Sequence, residues 1–140
     1  MVGRASRIEV REEPGPLVVV RWPVGAISDE ELQHFIDLSR DHIARLGAHA
    51  VLHLGIRALG LSASQRKHIA EHANQSRESL SVHVRAAAVV APSPILRGMI
   101  TAMNWLAPPP FPQRVFAAEE VARAWLMEQL GTPPPQREAR

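Results

Sequence analysis

The 140-residue chain has no cysteine, no tyrosine, a single lysine (Lys67) and only 4% aromatic residues. Without cysteine there is no disulfide framework, no thiolate nucleophile and no cysteine-ligated metal cluster. So few aromatics leave little platform for stacking single-stranded bases. No apolar run approaches the roughly 20 residues needed to span a bilayer. The opening MVGRASRIEV lacks the continuous apolar stretch of a signal peptide, so the chain is expected to be cytoplasmic. Charge of one sign is also scarce: sixteen basic residues against fourteen acidic ones leave +2. The sequence pI of about 10.3 overstates the positive field, because almost nothing here titrates between histidine and arginine. The arginines are scattered from Arg4 to Arg140 without a dense run, and no nucleic-acid partner is expected.

Other absences narrow the chemistry. All three aspartates, Asp29, Asp37 and Asp41, fall in one short stretch that reads as helix. None remains for the end of a later strand, where an α/β fold would place a phosphoryl acceptor or magnesium ligand. No glycine-rich phosphate loop of either common pattern is present, and no cofactor is expected.

What is there reads as alternating strands and helices. Ile8 to Val10 and Leu17 to Trp22 form a hairpin around the turn signal Glu13-Pro14-Gly15-Pro16. Ser28-Asp29-Glu30-Glu31 is a capping box that opens a first helix with negative charge at its positive dipole end. Its stripe is Leu32, Phe35, Ile36, Ile43 and Leu46, and Gly47 ends it. Ala50 to Leu54 is a third strand, and a polar second helix runs from about Ser62 to Ser79 along the domain edge. Val82 to Ala91 is a strand buried on both faces. Ser93 caps a third helix with Pro94 at its first position. That helix is apolar on two faces, with a stripe of Leu96, Met99, Ile100, Met103 and Leu106 extended by Ile95, Ala102 and Trp105. After a polyproline-like connection, Arg114 to Phe116 is a last strand. A final helix turns Val121, Ala122, Trp125 and Leu126 inward and closes at Gly131. The order ββαβαβαβα implies an α/β fold: a mixed four- to five-stranded sheet, parallel apart from an antiparallel edge, with four helices. Residues 1–131 are expected to form a single domain and 132–140 a disordered tail.

This order, with Gly25-Ala26-Ile27-Ser28-Asp29-Glu30-Glu31 opening the first helix and Ala86 to Ala91 as central strand, resembles the SpoIIAA-like branch of the STAS superfamily. The ending Val115-Phe116-Ala117-Ala118-Glu119-Glu120-Val121-Ala122-Arg123-Ala124-Trp125-Leu126 is similar to that family's F-x-x-x-E-x-A-x-x-W-L, and the likeness covers nearly all of residues 6–130. The resemblance implies a non-enzymatic regulatory or protein-interaction module. It further implies a phosphorylatable serine or threonine between the third strand and second helix, here Leu59-Gly60-Leu61-Ser62-Ala63-Ser64. That segment lacks the family's D-S-[ST]-G, which removes the main reason to expect a phosphorylation switch. Lipid-carrying relatives of the superfamily imply an alternative: a small apolar ligand under the third helix.

Individual residues carry competing readings. Ser62 is the cap of an S-x-x-Q box, its oxygen taken by the N–H of residue 65. With Ser64 it is also a candidate partner contact, and Gly60-Leu61-Ser62-Ala63-Ser64 stands one residue from a nucleophile elbow. His68-Ile69-Ala70-Glu71-His72 matches the inverted zinc-protease motif, with helical spacing that puts both imidazoles and the carboxylate on one face. A catalytic zinc would need a third ligand and a cleft, so the metal-dependent hydrolase is the outside reading. His53 reads as a neutral strand histidine bonded to backbone, and His34 and His42 as surface residues. Trp105 and Phe111 either fold back on the core or form an exposed patch for a partner protein, a second copy in a homodimer, or a lipid-like ligand.

Overall fold

The computed structural model describes residues 7–56 and 61–131. Ten elements follow in order: β1 (Glu9–Glu13), β2 (Leu17–Arg21), α1 (Asp29–Leu46), β3 (His49–Leu54), α2 (Ala63–Gln75), α3 (Arg77–His83), β4 (Val84–Val90), α4 (Pro94–Leu106), β5 (Gln113–Phe116) and α5 (Glu119–Gly131). The strands lie side by side in chain order, β1-β2-β3-β4-β5. The β1–β2 hairpin is antiparallel and every later pairing is parallel.

Alternation along each strand sorts the core into two layers. Leu17 and Val19, then Ala50, Leu52 and Leu54, then Ala86, Ala88 and Val90 share one face, and α5 covers it with Ala122 and Leu126. The opposite face carries Val18 and Val20 against Leu32 and Ile36 of α1, and Val89 against Leu96 and Ile100 of α4. The small Ala86-Ala87-Ala88 run lets helices approach the central strands closely, and each fully buried leucine such as Leu52 or Leu126 contributes about 1.5–3 kcal/mol.

The helix count differs from the four expected from sequence, because the second helix is two. The chain bends at Ser76 (φ −104°, ψ 13°), although the Ser76 N–H still reaches the His72 carbonyl. Arg77 to His83 then continue as α3, burying Leu80, so Val82 and His83 are helical and the strand starts only at Val84. β1 runs further than the sequence suggests, since its exposed Arg11 and Glu12 have no apolar pattern to betray strand pairing with β2. In α5, Val121 is exposed and only Ala122 and Leu126 are fully inside. Gly131 is the last described residue of α5, and the tail 132–140 lies outside the described residues.

Candidate functional site

Two surfaces hold the residues singled out from sequence. The first is a groove between α1 and α2. Both helices open with complete capping boxes. Ser28 Oγ accepts from the Glu31 N–H while Glu31 accepts from the Ser28 N–H. Ser62 Oγ accepts from the Gln65 N–H at 3.0 Å, and Gln65 Oε1 accepts from the Ser62 N–H. Gln65 does more than its cap. Buried at the helix junction, its amide donates to the Ile27 carbonyl (2.9 Å) and to Asp29 Oδ1 (3.0 Å), tying the two N-termini together. A cap pattern alone carries no signal for that second role.

The groove measures about 410 Å³, with Asp29, Glu30, Gln33, Ser64 and His68 on its walls. A smaller hollow of about 100 Å³ continues it past Gln33 and His68 to Arg40, Glu71 and His72. Ser64, His68 and His72 therefore line these two adjoining hollows, with Ser62 outside them, but they do not assemble into a catalytic set. Ser62 Oγ is held by its cap and by Ser64 Oγ (3.2 Å), and neither serine hydrogen-bonds a histidine. His68 Nε2 is engaged by Gln33 Oε1 at 3.0 Å. The His72 ring has a buried Nδ1 without a hydrogen-bond partner, and burial, then the charges of Arg40 and His68, lower its pKa. Among the described residues no three His, Asp or Glu side chains are placed to hold a metal, His68, Glu71 and His72 included. Helical spacing puts them on one face, all three lining the smaller hollow, but His68 is engaged by Gln33.

Other histidines depart from their sequence readings. His42 is buried, not on the surface, because β1 passes in front of α1 and Glu12 Oε2 sits 3.1 Å from its Nε2. His53 is neutral as expected, but its partner is a side chain: the Trp22 indole N–H donates to Nδ1 at 3.0 Å. Phe35 completes the cluster, 5.1 Å from the Trp22 ring and 6.5 Å from His53. Burial pushes the His53 pKa down to about 4.

The second surface is the outer face of α4. Leu96 and Ile100 pack directly on Val89 and Ala91. The remaining apolar residues of the helix face outward: Ile95 is 77%, Met99 47%, Met103 39%, Trp105 83% and Leu106 86% exposed. The single stripe read from sequence thus splits, because only the positions turned toward β4 and β5 find a core. Trp105 does not fold back. Phe111, its companion in the sequence reading, is half-buried beside the start of β5.

The comparisons with known proteins agree with this architecture. A solved structure of an uncharacterised DUF3478-family protein with a SpoIIAA-like fold, from Shewanella loihica PV-4, superposes with a TM-score of 0.58 at 16% identity. The alignment covers 90% of this chain and 98% of that one. At this identity it shows a shared fold. No curated protein matches the chain. The SpoIIAA-like family model matches residues 17–127, from the first core residue of β2 into the last helix. That span takes in the whole parallel part of the sheet and the capped helices that wall the groove, and the chain belongs to the SpoIIAA-like family.

Proposed function

We propose that this chain is a non-enzymatic regulatory module that works in the cytoplasm by docking another protein chain on the outer face of α4. The observation that carries the reading is the exposure of Trp105 and Leu106, 83% and 86%, on a helix whose outer face bears no charge. Large exposed aromatic and aliphatic side chains in one contiguous patch are costly to leave in water, and tryptophan is prominent among the residues that dominate binding energy. The α2 N-terminus is a second contact in this reading, because Ser64 stands exposed on the groove wall beside the capping Ser62. A negative charge introduced at Ser62 would break its box with Gln65 and loosen the tie to Ile27 and Asp29.

The test is affinity purification of the tagged chain without chelator, identification of any near-stoichiometric protein retained, and direct binding of that purified protein. Trp105→Ala is expected to weaken direct binding at least about tenfold, the scale of a hot-spot truncation. Retention of a metal or an apolar small molecule with no protein would overturn the reading.

A further inference from the structure

Gly98 sits in the middle of α4, where glycine is the poorest helix former short of proline. Among the described residues nothing crowds it: a Cβ built there meets no atom within 4 Å. A glycine on an exposed helix surface leaves the backbone open to close approach by another chain.

At about 100° per residue, Gly98 and Trp105 lie opposite the buried Leu96 and Ile100. Ala102, Ile95, Leu106 and Met99 follow round one side toward Met103, and Thr101 lies on the other. Gly98 and Ala102 therefore make a shallow notch bordered by bulky apolar side chains. Among the polar side chains of the helix, Thr101 alone is exposed, beside Gly98 and Trp105, and it carries no charge. Arg97 donates to the Ala91 and Pro92 carbonyls at 2.9 and 2.8 Å, and Asn104 accepts from Gln113.

We infer that α4 is a homodimerisation helix, pairing with α4 of a second copy across a two-fold axis so that Met99 and Leu106 of each helix seat over the Gly98–Ala102 notch of the other. This deepens the reading of α4 as a docking face by naming its occupant. An isologous interface brings each surface against itself, so like charges would meet their own kind near the axis. An uncharged face pays no such penalty, whereas a face built for a charged partner would carry complementary charge. The five exposed side chains present on the order of several hundred Å² of apolar surface, Trp105 alone up to roughly 150–250 Å². That approaches the ~800 Å² per partner of a stable interface. A lipid surface fits less well, because interfacial helices flank their apolar face with free basic residues, and the one arginine of α4 is engaged by backbone.

Sedimentation equilibrium of the full chain tests this. The wild type is expected to dimerise with a Kd in the micromolar range, and Gly98→Leu and Leu106→Lys each to weaken it at least about tenfold. Gly98→Leu has open space for its side chain and a better helix former than glycine, so its melting temperature when monomeric should not fall. Loss of pairing in that variant cannot then be blamed on unfolding. A wild type that stays monomeric at about 200 µM overturns self-pairing. If Trp105→Ala still loses an identified partner in that case, the docking reading survives without it. A dimer indifferent to both substitutions also overturns the inference, as does a monomer that instead pellets with phosphatidylcholine–phosphatidylglycerol vesicles.

Discussion

Lowering the pH from 7.5 to 4.5 should destabilise this protein through one side chain in particular. His53 lies on β3 between Val20 of β2 and Val89 of β4, on the sheet face covered by α1. Its Nδ1 accepts the Trp22 indole proton, which requires the neutral ring with hydrogen on Nε2. Protonation would put the ring's second hydrogen on Nδ1, oppose two donors and place a charge against Phe35 and Trp22. Burial accordingly lowers the pKa from 6.5 to about 4. Between those two values the unfolded chain binds the proton and the native one does not, so stability is complete above about pH 6.5 and falls as pH drops toward 4. At 1.36 kcal/mol per pH unit the full difference is about 3 kcal/mol, of which roughly 2–3 kcal/mol is expressed between pH 7.5 and 4.5.

Urea unfolding of wild type and His53→Leu at both pH values isolates this contribution, since His49 and His72, whose pKa values are also lowered by burial, remain in both proteins. The variant should lose stability at pH 7.5, because the Trp22 N–H loses its acceptor, yet show a pH dependence smaller by about 2 kcal/mol. Trp22→Phe should raise the His53 pKa in an NMR titration, because the donor that favours the neutral ring is gone. A His53 midpoint near 6.5 in the wild type, or identical pH slopes in wild type and His53→Leu, would refute the reasoning.

Two further substitutions probe the frame that holds these groups. Gly55 has φ +82°, and a Cβ there would sit 2.8 Å from the Trp22 carbonyl oxygen; Gly55→Ala should cost more than about 2 kcal/mol in thermal or urea unfolding. Ser62→Ala should cost about 1 kcal/mol by removing the α2 cap, and it should quicken amide exchange in the first turn of α2 while leaving α4 unchanged.

Local signals in the chain were sufficient for much of the fold. The Ser28, Ser62 and Ser93 caps mark helix starts because a side-chain oxygen and a free N–H three residues on are neighbours in sequence. The continuous apolar runs Leu17–Val20 and Ala86–Val90 identify strands buried on both faces, and the order of elements implies a mixed sheet. Contacts made across elements were not legible. Ser76 bends a polar helix that has almost no apolar pattern to report the bend. His42 is buried where Glu12 of β1 reaches it, and His53 meets Trp22, which follows β2, 31 residues earlier. His68, Glu71 and His72 share a helix face, yet Gln33 on a different helix engages His68. Above all, periodicity made α4 apolar on two faces without saying which face finds the core. Hydrophobic spacing is a property of one helix, while burial depends on what the sheet places opposite it, and β4 and β5 reach only Leu96 and Ile100. Which apolar face is left to water, and with it the surface available to a partner, was decided by the tertiary structure alone.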